Sequence, residues 1–437
     1  MKQNQTFVKK LYESFQVLHE NLAMSRNFVG CFSKICIDKM AEYKPNIDFE
    51  KEMKEYLIVV AKEGYPYDEE DFKEKLNNKF HELLKKHNIT FAEYSKKIEE
   101  QISIGSKLGV VIKSLEDKVT FYAKSYKQIF SNSLDNMVMM FEEFLANVFK
   151  HYYEKYPSIL NSRTIKFEHI SSATSIEGVK NIFILNEIEE LMHKSIKEIF
   201  ELLMKTMSID LPFFNSHKDK ILEIFYRRNI FIHNRGAVNK TYISLSSNPY
   251  SFKNGEEALI TEDYLYDSAS LLLLSGVEII TSIISKIKLN KGEEYSEEEN
   301  QISFIAFENY LCKEDWQFAL EFYNILVTNS QLSEKARLLY DINIMLCKKY
   351  LGSITIDEIK KHISSDDTYL KIGYDALIEE FDELSILLIQ YYKDVGGLTH
   401  KELETWPIFI EYRKTELYRE VYKEIKDMEK KAPRIIG

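Results

Sequence analysis

The sequence predicts an all-α fold, and three observations favour this class. Only 14 glycines and 7 prolines occur in 437 residues, which is few for a β-sandwich or barrel with its many turns. Apolar residues recur at helical spacing, and short Val/Ile strands alternating with helices do not occur. Hydrophobic residues make up 45% of the chain, enough for a sizeable core. The length allows two or three domains of roughly 100–200 residues each.

Charge and cysteine content restrict the class of protein further. The net charge of −11 argues against a protein that coats nucleic acid non-specifically, so a role on RNA or DNA requires a local basic patch. The four cysteines form no C-x-x-C pair and no zinc-type cluster, which predicts free thiols, no metal and no cofactor. The segment Met1–Asn21 is charged throughout, and polar residues interrupt the most apolar run, Leu271–Ile287. We therefore expect a cytoplasmic protein that does not enter the membrane.

Residues 1–127 are predicted to form an N-terminal helical region, rich in Lys and Glu. Breaks are expected at Tyr43–Pro45 and at Gly64–Tyr67, where proline or glycine interrupts the helical pattern. Charged pairs such as Glu82 and Lys86 have the i,i+4 spacing of a solvated helix face. No pair in this region has a catalytic spacing.

Residues 128–288 are predicted to form a four-helix bundle, because four segments each have one apolar face. Ser133 is the expected N-cap of the first helix, Gly236 follows the third, and acidic residues after Thr261 open the fourth. The four predicted helices cover residues 133–157, 187–206, 218–234 and 261–287.

A short hairpin is expected between the third and fourth helices, from Tyr242–Ser246 and a turn at Lys253–Gly255. A Glu-rich linker, residues 289–300, leads to a C-terminal domain over residues 301–437. That domain is predicted to consist of helical hairpins, over residues 304–311, 316–327, 334–350, 369–394 and 406–428.

The C-terminal hairpins resemble tetratricopeptide-type helix pairs. Trp316, Ala319 and Tyr323 carry the resemblance, although the 34-residue period of that repeat is not kept. The resemblance implies a concave surface for a protein partner.

The third predicted helix is the one stretch with chemical character. The chain has nine arginines, and Arg227, Arg228 and Arg235 lie on this helix or just after it. From His217 to Lys240 there are six Lys or Arg residues and two acidic ones. Guanidinium groups bind anions in a planar, bidentate manner, so we predict a basic stripe here.

Helical spacing predicts that Arg228 lies on an apolar, inward-facing stripe, because Ile221, Phe225, Arg228 and Ile232 follow one another by four, three and four residues. Asn229 and His233 are i,i+4 neighbours on the adjoining strip. At ~100° per residue, the three polar side chains fit within an arc of about 140°. Such an arc is typical of a site rather than of a solvated face.

The motif Arg-Asn-x-x-x-His, at 228–233 on the third helix of a four-helix bundle, resembles the R-x4–6-H signature of HEPN domains. The resemblance covers roughly residues 130–288. It implies a metal-independent ribonuclease of the kind found in toxin and antiphage defence proteins, with the site formed between two facing protomers. It also implies catalytic roles for Arg228, Asn229 and His233. We further expect Arg227, Arg235 and Lys240 to bind RNA.

The chemistry of RNA cleavage suits these residue types. RNA carries its own nucleophile, the 2′-OH, so the protein has to move protons and stabilise the phosphorane. An imidazole can act as a general base or acid near neutral pH, and this is the role expected of His233. Arg228 holds the phosphate as negative charge develops. Asn229 orients either His233 or the scissile phosphate.

Two other functions fit the same sequence. One is a non-catalytic interaction protein, in which the bundle forms a homodimer and the C-terminal hairpins bind a partner. The other is a nucleotide-binding regulator, paired with a nucleotidyltransferase that modifies it covalently near Tyr242 or at another tyrosine of this domain.

Overall fold

The chain is helical in nearly all of the part that the computed structural model describes. The described residues are 2–63, 78, 81–82, 85–87, 90, 108–161, 164, 174–287, 297–328, 332–361 and 367–431. Strand pairing within these residues is limited to one antiparallel bridge, between Ala237 and Glu257. The predicted all-α class is confirmed.

The described part of the chain before residue 288 contains the following α-helices with defined bounds. They are α1 (Lys2–Glu63), α2 (Leu108–Lys155), α3 (Ile176–Met192), α4 (Ile196–Met207), α5 (Pro212–Asn234), α6 (Lys240–Leu245) and α7 (Glu262–Lys286).

A bundle of long helices forms the centre of the molecule. The helices α1, α2, α5 and α7 share one apolar core, which contains residues such as Leu18, Phe141, Phe225 and Ile280. Helix α4 closes the bundle through Phe200. That α1 belongs to this core was not predicted, because its sequence was assigned to a separate N-terminal region. The boundary between residues 127 and 128 stays a prediction, although α2 runs through it.

Two predicted helix ends are wrong. Ser133 is not an N-cap, since it is 4% exposed in the middle of α2. No glycine or proline between Gly109 and Pro157 interrupts that helix. The predicted second helix is in fact two, α3 and α4. Ser195 separates them as the N-cap of α4, where it forms a reciprocal capping box with Glu198.

The hairpin prediction is also wrong in part. Tyr242–Ser246 lies largely within the short helix α6, which Asn239 caps by accepting a hydrogen bond from the Tyr242 N–H at 2.8 Å. The Asn239 N-cap explains why these residues form a helix rather than the predicted hairpin strand. The turn predicted at Lys253–Gly255 is present, and Gly255 has a φ of 87°.

Two breaks were predicted in the N-terminal region, of which one is wrong and the other falls outside the described residues. The break predicted at Tyr43–Pro45 is wrong, because α1 continues to Glu63. A proline removes one backbone hydrogen bond and kinks a helix without always ending it. The break predicted at Gly64–Tyr67 and most of the predicted linker lie outside the described residues. The end of that linker, from Glu297, is already helical.

The C-terminal part is a series of short helices. They are α8 (Glu297–Ala306), α9 (Trp316–Leu326), α10 (Glu334–Tyr350), α11 (Ile356–Lys360), α12 (Thr368–Ile378), α13 (Phe381–Val395), α14 (His400–Thr405) and α15 (Glu416–Lys431). The segment predicted as a helical hairpin over residues 369–394 consists of α12 and α13, which are separated at Glu379, whose φ is 66°. The helix predicted over residues 406–428 begins only at Glu416.

The C-terminal helices pack against the bundle. The Arg26 guanidinium on α1 lies 3.7 Å from the centre of the Tyr266 ring on α7, and the Tyr266 hydroxyl donates to Asp315, the N-cap of α9. The His19 and Tyr310 rings are also in contact. These contacts join the two parts through one continuous apolar core.

Helix α7 is the centre of that core. By length and composition it would qualify as a membrane span, and 78% of its most apolar window is buried inside the protein. The sequence-based interpretation of Leu271–Ile287 as a buried helix is therefore confirmed.

One carboxylate on α7 holds the beginning of α5 in place. Glu278 is 4% exposed and accepts hydrogen bonds from the backbone N–H groups of Phe213 and Phe214, at 2.6 and 2.9 Å. Burial raises the pKa of Glu278 to about 7, although both backbone donors favour the carboxylate. The folded protein therefore holds a proton here over a pH range in which the unfolded chain has lost it.

This shift predicts a pH dependence of stability that Glu278→Gln removes. The raised pKa of Glu278 contributes stability below the unfolded value of 4.5, and that contribution is lost as the pH rises to about 7. We expect the free energy of unfolding of the wild type to fall over this range relative to Glu278→Gln. Urea denaturation of both proteins at about pH 5 and about pH 8 measures the difference. Identical pH dependence in the two proteins would contradict the assignment.

Candidate functional site at the end of α5

Helix α5 leaves the core in its last two turns. Around Ile221–Phe225 every side chain is buried, whereas Asn229, Ile232 and His233 are exposed. The predicted inward-facing stripe through Arg228 therefore does not continue to Ile232, which is 48% exposed. The polar arc lies where the helix emerges from the bundle, and it is accessible to a large substrate.

Arg228 is half-buried and tethered. Its Nε donates to the Asp135 carboxylate on α2 at 2.7 Å, and one Nη1–H donates to the Asn229 side-chain oxygen at 3.3 Å. The side chains of Arg228 and Asp135 are 26% and 46% exposed. A guanidinium has five N–H donors, so three remain for an anion. The expected inward position of Arg228 is therefore wrong, and the side chain lies at the rim of the core.

Two carboxylates on α2 accompany this arginine. Asp135 holds the guanidinium, and Glu142 lies two turns further along the same helix. Burial raises the pKa of Glu142, while the charge of Arg228 opposes the rise. Sequence reasoning missed both residues, because nothing in the local pattern of α2 relates them to a helix 93 residues away.

His233 is the one free acid–base group of the arc. It is exposed, and it makes no hydrogen bond or ion pair with any of the described residues. Asn229 lies one turn before it, about 6 Å along the helix axis. The structure places Arg228, Asn229 and His233 on one accessible face, as the sequence predicted.

Glycine at position 236 determines how α5 ends. Arg235 adopts the left-handed conformation with a φ of 53°, and Gly236 follows with a φ of 82°. The Gly236 N–H bonds to the Ile230 carbonyl at 3.0 Å. A Cβ at Gly236 would lie 2.9 Å from the Phe231 ring, so both the backbone and the packing require glycine. This ending fixes the orientation of the turn that carries His233.

Arg227 does not have the role predicted from sequence. It is 2% exposed, and its Nε donates to Glu223 at 2.6 Å. The guanidinium carbon lies 3.8 Å from the centre of the Tyr264 ring and 4.5 Å from that of Tyr250. Its Nη1 donates to the Leu259 carbonyl at 3.0 Å. The prediction that Arg227 binds RNA is wrong, because no face of this side chain is open to a phosphate.

Glu223 is the centre of that buried cluster. It is fully buried and accepts hydrogen bonds from Arg227, from the Tyr242 hydroxyl and, at 2.9 Å, from the Tyr264 hydroxyl. Burial raises the pKa of both tyrosines, so both remain protonated donors. Tyr242 is 2% exposed, which leaves its hydroxyl inaccessible to the covalent modification considered above.

The cluster holds the segment between α5 and α7 against the site. Backbone hydrogen bonds join Ala237–Val238 to Gly255–Ala258, and in one of them the Val238 N–H donates to the Glu256 carbonyl at 2.8 Å. We call these two hydrogen-bonded stretches the clip. A separate apolar cluster joins this clip to α5, formed by Ile230, Val238, Tyr242 and Ala258. The clip places the start of α6, with Lys240, close to the end of α5.

The basic stripe is weaker than the sequence suggested. Glu223 neutralises Arg227, and Asp135 neutralises Arg228. Arg235 and Lys240 are exposed and without an ion pair among the described residues, so their RNA-binding role stays a prediction. Within the same residues, no three His, Cys, Asp or Glu side chains lie together as metal ligands would.

This geometry can bind one phosphate and exchange one proton. The tethered guanidinium of Arg228 offers fixed donors, and His233 offers a solvent-accessible imidazole on the same face. No family model, curated protein or solved structure matches this chain.

Proposed function

We propose that this chain is a metal-independent endoribonuclease that cleaves RNA by attack of the 2′-OH, and that it acts as a toxin or antiphage effector. The observation that carries the proposal is the accessible face on which the unpartnered His233 lies beside the tethered Arg228. The resemblance of Arg228–His233 to the HEPN signature supplies the reaction class.

Each residue has a chemical task in this proposal. His233 accepts the proton of the 2′-OH, whose oxygen then attacks phosphorus. The three unused N–H donors of Arg228 bind the phosphate oxygens as their charge increases. The hydrogen bond to Asp135 restricts the movement of the Arg228 guanidinium. The hydrogen bond to the Asn229 side-chain oxygen restricts it further. The departing 5′-oxygen takes a proton from a second acid, and the RNA is left with a 2′,3′-cyclic phosphate.

The proposal predicts a cyclic product and tolerance of EDTA. Because the attacking oxygen belongs to the RNA and both protons pass through side chains, removal of divalent ions should change the cleavage rate by less than about twofold. Mass spectrometry of a short RNA substrate identifies the 2′,3′-cyclic phosphate. Loss of activity in EDTA with rescue by magnesium would contradict the mechanism. An Arg228→Ala preparation, purified in the same way, controls for contaminating nuclease.

The second acid is predicted to come from a second copy of the chain, in a homodimer with its two-fold axis near α5. Two copies that face each other across this axis bring a second His233 and a second Arg228 to the site, so no other residue is needed. Ile232 and Met139 support this interface, because they are apolar and 48% and 52% exposed beside the polar arc. We expect Ile232→Glu to convert the α5-mediated dimer to separate protomers and to lower cleavage at least tenfold, as light scattering and an RNA assay would show.

The matched control for Ile232→Glu is Leu185→Glu. Leu185 is 54% exposed on α3. We expect this second change to leave both mass and cleavage unaltered. A monomeric wild type that is fully active at nanomolar concentration would contradict the shared site.

A non-catalytic scaffold is the second candidate, and one observation favours it. Asp135 already neutralises Arg228, so a phosphate has to compete with a carboxylate for this guanidinium. In this candidate, the α5 face joins two copies, and the C-terminal helices hold a protein partner. Absence of cleavage in the wild type, together with an intact dimer, would select the scaffold.

The C-terminal helices are proposed to bind a protein partner or to restrain the nuclease in the cytoplasm. Ile386 and Val395 on α13 are apolar and more than 60% exposed, which fits a contact surface. A truncation after Asn290 tests this role, since unchanged toxicity and unchanged response to triggers would remove it.

A further inference from the structure

Helix α1 has a second apolar face that the bundle does not cover. We call it the outer stripe, and its side chains are between 43% and 61% exposed. The outer stripe consists of Val17, Met24, Phe28, Phe32 and Ile35. At ~100° per residue, they fall within an arc of about 80°, centred about 100° around the helix from the buried Leu22, Val29 and Cys36. Helix α1 therefore has two distinct apolar faces.

Single exposed apolar side chains are ordinary, but a continuous row on one helix face marks a contact surface. The Phe28 and Phe32 rings lie 4.4 Å apart, centre to centre, and remain 48% and 43% exposed. The stripe spans 18 residues, or about 27 Å of helix. This length is sufficient for two full heptads of a helix pair.

Charges beside the stripe select the partner. Glu20 and Lys34 are exposed on the same flank of the stripe, 14 residues apart. If a second α1 lies antiparallel with a two-fold axis near residue 27, each Glu20 faces Lys34 of the other copy. Asp38 then faces the uncharged Gln16.

We propose that α1 packs antiparallel against α1 of a second copy of this chain through the outer stripe. Helices α1 and α5 both pack on α2 and α7 but not appreciably on each other, so the contact involves a different helix from the proposed catalytic face. It is therefore separate from the α5-mediated dimer and independent of any ribonuclease activity. If both contacts form, they link copies in a row.

Cys31 provides a direct readout. It is an exposed free thiol at the edge of the stripe. In the antiparallel arrangement, the two Cys31 residues lie about 12 Å apart along the helix axes, within reach of a flexible bismaleimide. We expect the full-length protein to give a covalent dimer, and the Cys31→Ser variant to give none.

Charge reversal tests the arrangement. Phe28→Glu places two carboxylates near the axis and should reduce cross-linked dimer at least tenfold. Leu185→Glu, a matched change at a 54% exposed position on α3, should leave it unchanged. Glu20→Lys should weaken the contact, and adding Lys34→Glu should restore it. Circular dichroism verifies that each variant keeps its helix content.

The experiment separates this contact from the α5-mediated dimer. Ile232→Glu should leave the Cys31 cross-link intact, whereas Phe28→Glu should leave the α5-mediated dimer intact. The proposal is overturned if the wild type gives no Cys31 dimer. It is likewise overturned if Phe28→Glu cross-links as well as the wild type. Either outcome would show that something else, such as another part of the chain or a different protein, covers the stripe.

Discussion

Replacing His233 by alanine is expected to lower the rate of RNA cleavage by about 100- to 10,000-fold and to leave the fold intact. The imidazole is exposed and without a bond to the described residues, so its removal costs no internal contact. Arg228→Ala should have an effect of similar size, because it removes the phosphate donors. It also removes an exposed ion pair with Asp135, which contributes only up to about 1 kcal/mol to stability.

Initial rates on a fluorescent RNA measure the effect, and thermal denaturation verifies that the variants are folded. His217→Ala is the matched control, because His217 lies on the same helix and its Nδ1 is within 3.0 Å of the Phe213 carbonyl. We expect this variant to cleave at the wild-type rate. The catalytic assignment is wrong if purified His233→Ala cuts RNA as fast as the unmodified protein.

The helices that the sequence predicted best are those with both an apolar face and a local end signal. Thr261 caps α7 where expected, and α10 has the predicted bounds, Glu334–Tyr350. The predicted helix ends were wrong where the residue expected to mark the end is an ambiguous signal. Ser133 and Ser195 are both serines before an apolar run, yet only Ser195 has a glutamate three residues later. Ser195 begins α4 with this reciprocal hydrogen bond to Glu198, whereas Ser133 has no such partner.

The part of the site that could be predicted is its local part. The positions of Arg228, Asn229 and His233 on one face follow from helical spacing alone. Exposure does not follow from spacing, because it depends on how far α5 extends beyond its neighbours. The same limit explains the error at Arg227. Its side chain points about 100° away from that of Arg228 and meets Tyr264 and Leu259, which are distant in sequence.

Counting charges in a sequence window overestimated the basic character of this face for a related reason. Neutralising partners come from anywhere in the chain, as Asp135 does for Arg228. What remains is a modest positive surface at Arg235 and Lys240. In the proposed function, the RNA-binding groove therefore depends on a second copy, since two such surfaces across a two-fold axis add their fields.

Glu223→Ala is expected to lower the free energy of unfolding by about 3–5 kcal/mol, which is a large part of the stability of a typical domain. The change leaves the Arg227 guanidinium buried without its counter-charge. It also removes the acceptor of the Tyr242 and Tyr264 hydroxyls. The tyrosine hydroxyls cannot recover this loss from water, because Tyr242 is 2% and Tyr264 is 7% exposed.

Urea denaturation of Glu223→Ala and Glu424→Ala gives the comparison. Glu424 pairs with Lys393 at 3.4 Å on the surface, where both side chains are about half exposed, so its loss should cost no more than about 1 kcal/mol. Equal stability of the two variants would contradict the account of the buried cluster.

The buried cluster also has a consequence for the site. Tyr242 joins α6 to Glu223 on α5, so the loss of this carboxylate should release α6 and Lys240 from the end of α5. Limited proteolysis between residues 238 and 260 should then accelerate more than global unfolding requires. A variant that loses global stability without faster cleavage of this segment would show that the clip is held by Ile230, Val238 and Ala258 rather than by Glu223. If the segment is released and RNA cleavage still proceeds at the wild-type rate, Lys240 has no part in binding RNA.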